Sequence, residues 1–404
     1  MSVATLNYVQ NITPPALIET KGEIASSIIV FQEQLYLAIA SYQTRKGSNY
    51  ISIMRYDTEA SNWQEMYRSS LLLESNDSDT ETPQIANINL QVDFAIFQGK
   101  EEVQEALHIH VISPFNYQLI DSKNGVDFSL IYSAQPSETA FVPRQKFISY
   151  QQQLYSLPSN TQVLETTAET PFIYTCTSPQ SGEWNSFKAA QFGESNQRIS
   201  NTVVFNNFLC AATENLTQGF QIWKTQNDAS KSPSWEPLLT KGAYRYSLNP
   251  RVYSMAVFQE NLYVASGIAN VSSQDTPSPL PCGFELIRLY PEGDWDLIVG
   301  KPKFTPDGLK VPLSAMGDGF DEPYNQRVES LVVHKNHLYL CFEHWDGFQL
   351  WRSEDGEIWE QVSFAQLNEY HNVTVKGALS TNAGLALLVN VNRTSEMQLW
   401  IVDL

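Results

Sequence analysis

The chain has 404 residues and a mass of 45.7 kDa, with 42% hydrophobic, 12% aromatic and only 17% charged residues. That is enough apolar material for a large core, which excludes a disordered chain, and the length exceeds one ordinary core, leaving two or three domains or one large repetitive architecture. With 44 acidic against 25 basic residues the formal charge is −19, a field that repels nucleic acid and anionic membrane surfaces and sets both aside as partners.

From the N-terminus, MSVATLNYVQNITPP has neither a basic start nor an apolar core of an export signal, and no later run approaches the ~18 apolar residues of a membrane span. The expectation is a cytoplasmic location. One phrase then recurs: an apolar strand, a tight polar turn, and a second apolar strand often opening on Leu-Tyr. Its copies are SSIIVFQEQLYLAIA from Ser26, VDFAIFQGKEEVQEALHIHV from Val92, KFISYQQQLYSL from Lys146 and NTVVFNNFLCAA from Asn201. YSMAVFQENLYVAS from Tyr253, ESLVVHKNHLYLCF from Glu329 and VKGALSTNAGLALLV from Val375 complete the set.

After most copies a third strand follows, as in GFQIWKT from Gly219, GFELIRL from Gly283 and GFQLWRS from Gly347. A fourth opens on an aromatic residue: Trp63, Phe128, Trp184, Trp235, Trp295 or Trp359. Turn formers such as Asn124-Gly125 and Ser353-Glu354-Asp355-Gly356 separate the two. Four antiparallel strands per repeat predict an all-β, seven-bladed β-propeller in one domain over 1–404, with blades near 22–68, 88–135, 143–190, 197–240, 250–300, 326–364 and 372–404. The last repeat stops after its third strand, so the extended segment at about 2–11 is expected to supply the fourth and close the ring. The four cysteines, Cys176, Cys210, Cys282 and Cys341, lack metal-site or disulfide spacing and read as buried thiols.

The phrases LYVAS…GFELIR…DW and LYLCF…GFQLWRSEDGEIW, with GFDEPYNQRVESL before a first strand, resemble propellers built from sialidase-like, Asp-box-type repeats. The resemblance implies a fold, and it implies that the Ser353–Trp359 segment is a structural turn. The repeat style is also similar to the propeller half of the cyanobacterial enzymes that alkylate resorcinols, which carry a further N-terminal calcium-binding domain that has no counterpart here.

Comparing equivalent positions locates a candidate site. Four residues before the shared aromatic stand Ser27, Asp93, Lys146, Asn201, Ser254, Ser330 and Lys376, polar in every copy and read as a channel-facing ring that either binds ligand or hydrogen-bonds to itself. Three residues earlier, Arg198, Arg251 and Arg327 begin three consecutive blades, with Arg144 one residue out of register in the blade before. Guanidinium forks suit carboxylate, sulfate or phosphate; the alternative is that they tie blades together through main-chain carbonyls or neighbours such as Glu194 and Asp321. Asp93, Glu329 and Tyr253 are the acid-base candidates, and Tyr324 and Trp345 sit in loops that break the repeat, where ligand contacts concentrate. His108 and His110 alternate on one strand face but lack a third ligand, and the acidic stretches from Glu74 and around Asp318, Asp321 and Glu322 lack calcium-loop spacing, so no cofactor is expected and calcium is the one metal left open.

Three functions follow as expectations: a propeller that binds an anionic small molecule or glycan, an enzyme of specialised metabolism (an alkylating or cyclising catalyst, or a glycan-acting hydrolase or lyase) using the same mouth, and a scaffold for a protein partner.

Overall fold

The computed structural model describes residues 3–5, 8–14, 23–42, 49–70, 90–100, 102–113, 116–134, 147–157, 172–188, 192, 196, 198–226, 234–267, 282–344, 347–363, 373–391 and 396–403. The chain is all-β, with seven four-stranded antiparallel blades of a β-propeller, the first six running their four strands as a meander and the seventh taking its fourth strand from the N-terminal segment. By contact it divides into two compact units: Ile12–Ala189, holding blades one to three, and Met1–Asn11 with Ala190–Leu404, holding blades four to seven.

In the first unit, blade one runs Glu23–Phe31, Gln34–Tyr42, Tyr50–Asp57 and Asn62–Ser70, and blade two Gln91–Phe97, Ala106–Ile112, Tyr117–Ser122 and Ser129–Ala134. Blade three runs Phe147–Tyr150, Gln153–Ser156, Phe172–Cys176 and Asn185–Lys188. In the second unit, blade four runs Arg198–Phe205, Phe208–Glu214, Gln221–Thr225 and Trp235–Leu239, and blade five Arg251–Phe258, Asn261–Gly267, Glu285–Leu289 and Trp295–Val299. Blade six has Val328–His334, His337–His344, Gly347–Ser353 and Glu360–Ser363, and blade seven Val373–Thr381, Gly384–Val391 and Glu396–Asp403.

The expected completion of blade seven is present but shorter: Tyr8–Asn11 pairs antiparallel with Trp400–Asp403. The segment before it does something else, because Val3–Thr5 adds in parallel to Gln361–Ser363 at the open edge of blade six. A four-residue strand fills the blade, and the preceding residues cover a neighbouring edge that would otherwise present unpaired main-chain groups.

The hairpins joining first and second strands explain the polar dipeptides of the repeat. Gln32-Glu33, Gln151-Gln152, Asn206-Asn207, Gln259-Glu260 and Lys335-Asn336 all have positive φ at both positions, between 44° and 64°. Paired positive φ is the mark of a two-residue turn whose twist matches that of the strands it joins, and none of these dipeptides contains glycine. The apolar strands on either side supply the register: second strands are buried on both faces, with Leu37–Ala40 and Leu338–Phe342 almost fully covered.

Blade packing repeats a second device. Tyr36 and Tyr263, each from a second strand, are 1% exposed. The Tyr36 hydroxyl donates to the Gly125 carbonyl of the next blade at 3.0 Å, and Tyr263 abuts Gly356 of the next blade. Both glycines sit in the turn between third and fourth strands. At Gly356 the Asp355 carboxylate accepts from the main-chain N–H groups of Glu357 and Ile358, both at 2.8 Å, while the Ser353 hydroxyl donates to it at 3.0 Å. Partial burial pulls Asp355 upward, but these donors hold its carboxyl below the usual range. Asn124 repeats the arrangement, its Oδ1 accepting from Val126 and Asp127 N–H groups at 2.9 Å.

All four cysteines are free and buried, and burial pushes the Cys176 and Cys210 thiols up to about 12, so they are packing groups. Among the described residues, no helix is long and apolar enough to cross a membrane.

Gly356 has φ +77°, and an added Cβ would lie 1.9 Å from the Tyr263 hydroxyl. Gly356→Ala should therefore cost about 2–4 kcal/mol, combining left-handed backbone strain with displacement of a buried ring. Gly308→Ala is the comparison, since its φ is +116° but a Cβ there meets nothing within 4 Å. Thermal melts should place Gly356→Ala well below Gly308→Ala, and equal midpoints would contradict the docking role.

Candidate functional site

The site is built on the first strands of blades four to seven, which pack against one another in chain order. Each of these strands carries a β-bulge at one level: between Ile199 and Asn201, Val252 and Ser254, Val328 and Ser330, and Val375 and Gly377. The extra residues are Ser200, Tyr253, Glu329 and Lys376. A bulge unpairs one residue and re-aims the side chains beside it.

Arg198, Arg251 and Arg327 lie two residues before these bulges or their edge, so each arginine shares a face with the residue two places on. The Arg251 guanidinium lies 5.5 Å from the centroid of the Tyr253 ring, and Arg327 Nε pairs with Glu329 Oε1 at 2.8 Å. Arg198 forms an ion pair with Glu214, and the same carboxylate lies 3.9 Å from Arg251 Nε. The Glu214 and Glu329 side chains are each 7% exposed, whereas those of Arg251 and Arg327 are 34% and 44% exposed. Buried carboxylates thus hold arginines whose side chains are partly open to water.

The arginines feel one another. Burial first, then the neighbouring positive charge of Arg198, lowers the pKa of Arg251; Glu214 opposes this and Arg327 adds to it. Tyr253 responds to the same set: burial raises its phenol, against the pull of Arg251 and Arg327, with Glu214 and Glu329 adding to the rise. Among the described residues Arg251 donates no hydrogen bond to a protein group through Nε.

The polar column one step further along does a different job where it is described. Asn201 Nδ2 donates to the Tyr253 carbonyl at 3.2 Å, and Ser254 Oγ accepts from the Leu331 N–H at 2.9 Å, each linking adjacent first strands. Lys376 is exposed at the bulge of blade seven, and Tyr324 is 65% exposed in the loop before blade six. Asp93 belongs to the other unit, where its carboxylate accepts from the N–H groups of Phe94 and Phe147 at 3.0 and 3.3 Å. Arg144, Lys146 and Trp345 lie outside the described residues, as do Glu194 and the acidic stretch from Glu74.

Of the two carboxylates the sequence pointed to as partners of the arginines, Asp321 is engaged within its own loop and Glu194 lies outside the described residues. Asp321 accepts from the Gly317 N–H at 2.7 Å and closes its own loop, while Asp318 pairs with Arg245 at 2.9 Å. Arg245 also lies 3.6 Å from the fully buried Glu285, which Lys303 holds at 2.5 Å. This network fastens the connection between blades four and five, including Lys241–Tyr244, to blade five and the loop that follows it. Glu214, the carboxylate that joins two of the site arginines, was not singled out from sequence.

His108 and His110 are both buried, with ring centroids 6.4 Å apart. His110 Nδ1 meets the Tyr117 hydroxyl at 2.8 Å and its ring stacks on Phe147, while among the described residues neither nitrogen of His108 has a hydrogen-bond partner. Among the described residues, no three His, Cys, Asp or Glu side chains are grouped to hold a metal ion.

No protein-family profile matches the sequence, and no curated protein is significantly similar to it. Solved structures do match in fold. A polysaccharide lyase, Uly1, superposes with a TM-score of 0.52 at 8% identity, covering 94% of this chain and 89% of that one. An acylaminoacyl peptidase bound to Z-Gly-Gly-Phe-chloromethyl ketone gives 0.51 at 7% identity and 94% coverage of this chain, and the uncomplexed Pyrococcus horikoshii acylaminoacyl peptidase gives 0.50 at 7%. The chain spans about half the length of these peptidase chains, 51% in each. Identities this low establish the propeller fold alone.

Burial, with a small addition from Lys123, lowers the His108 imidazole to about 4. A folded-state value below the unfolded ~6.5 means that its contribution is present above pH ~6.5 and is lost as pH falls toward 4, about 3 kcal/mol in all. His108→Gln should therefore lose less stability between pH 7 and pH 4 than the wild type in matched denaturant titrations. Equal losses would show that His108 does not set the acid response.

Proposed function

We propose that this protein is an anion-binding β-propeller whose ligand, a small molecule or glycan carrying negative charge, seats on Arg198, Arg251 and Arg327. The observation that carries this reading is the convergence of three guanidinium groups from successive blades, close enough to perturb one another, in a chain of net charge −19. Placing like charges together at a partly open surface costs energy that a bound anion relieves. Lys376, Tyr324 and Asn201 stand in the same unit as outer contacts, and Trp345, which belongs to that unit, is proposed as a further one. The fold likeness to a polysaccharide lyase is consistent with a glycan ligand, and the turn at Ser353–Trp359 is consistent with an Asp-box-type repeat.

A second reading, an enzyme acting on that ligand, is favoured by Tyr253. It occupies a bulge between Arg251 and Arg327 and responds to both, a setting in which a phenol could transfer a proton while guanidinium charge stabilises a developing anion. Glu329 stands beside it, with Asp93 the remaining acid candidate.

Thermal stabilisation and calorimetry with D-glucuronate, sulfated sugars and inorganic phosphate, at ionic strength matched with sodium chloride, test the first reading. At least one of these anions should bind, and Arg251→Ala should weaken it about ten- to a hundredfold, the worth of a charged hydrogen-bonding partner. No stabilisation beyond the salt control, or unchanged affinity in Arg251→Ala, would overturn it.

A further inference from the structure

The three arginines are not equivalent. Arg198 is engaged by Glu214, and Arg327 by Glu329 through Nε at 2.8 Å, with Nη2 at 3.5 Å from the other carboxylate oxygen. Among the described residues, Arg251 lies between them with its closest carboxylate 3.9 Å away and with no hydrogen-bond acceptor for its Nε. The two carboxylates are fixed parts of the site: each side chain is 7% exposed, on the second strand of blade four and at the bulge of blade six. Among the described residues, three guanidinium charges against two carboxylates leave a single positive charge within this cluster, centred on the least engaged arginine, with Lys376 counted apart as an outer contact.

We propose, building on the anion-binding reading, that Glu214 and Glu329 are charge-selectivity residues: they occupy the outer two arginines so that the site accepts one singly charged group on Arg251, such as a carboxylate, and rejects dianions. A dianion would meet only one net positive charge within the cluster and would approach two resident carboxylates in a partly desolvated setting, where repulsion between like charges is weakly screened. A carboxylate matches the planar fork of one guanidinium and adds a single charge. Tyr253, under Arg251, limits where that fork points.

The test compares D-glucuronate, a monoanion, with inorganic phosphate at pH 8, mostly a dianion, by calorimetry at matched ionic strength. Wild-type protein should prefer glucuronate, and Glu329→Gln should raise the ratio of phosphate to glucuronate affinity about tenfold or more, since a dianion gains twice as much from removing a negative charge. Glu214→Gln should shift the ratio in the same direction. Thermal midpoints and circular dichroism identify which variant is folded, and wild-type preference for phosphate overturns the proposal without either variant. If both anions bind but the ratio is unchanged in a folded variant, selectivity by these carboxylates is wrong while the anion site stands. If neither anion binds the wild type, the site itself falls.

Discussion

Three arginine side chains cannot sit next to one another at a protein surface unless something offsets their repulsion. Here Glu214 and Glu329, both nearly buried, provide that offset from strand positions the backbone fixes. Removing a charge partner from such a setting leaves an uncompensated ion, so these carboxylates hold the cluster together more firmly than any exposed surface pair would. The remaining charge imbalance falls on Arg251. The proposed affinity of this part of an otherwise acidic molecule for anions rests on that imbalance.

The propeller was legible in the sequence because each blade repeats its own punctuation. A polar dipeptide between two apolar runs marks the first hairpin whether it reads Gln-Gln, Asn-Asn or Lys-Asn, since flanking burial sets the register and the turn has only to accept positive φ. The shared tyrosine and the glycine turn of the following blade are likewise readable, as each recurs at the same place in its repeat. The arginine column could be aligned for the same reason.

The partners of that column could not. Counting outward from the Phe205–Phe208 turn in a regular hairpin puts Asn215 opposite Arg198; the bulge at Ser200 moves the register by one and brings Glu214 there instead. One inserted residue thus converts a neutral neighbour into the carboxylate on which the site depends, and no local composition announces it. Tyr253 and Glu329 are the extra residues of the corresponding bulges in blades five and six, each two places after its arginine. Asp321 illustrates the opposite error: close in sequence to Arg327, it is consumed by its own loop. Bulges at one level in four successive blades indicate that irregular pairing is how this scaffold makes a site from otherwise repetitive strands.

The claim that the arginines form one anion site is tested most directly by a crystal structure grown or soaked in sodium bromide, where anomalous scattering locates the halide. The account predicts a bromide peak within hydrogen-bonding distance of the Arg251 guanidinium, with Arg198 on Glu214 and Arg327 on Glu329 beside it. Bromide bound only elsewhere, or Arg198, Arg251 and Arg327 turned away from one another, would contradict it.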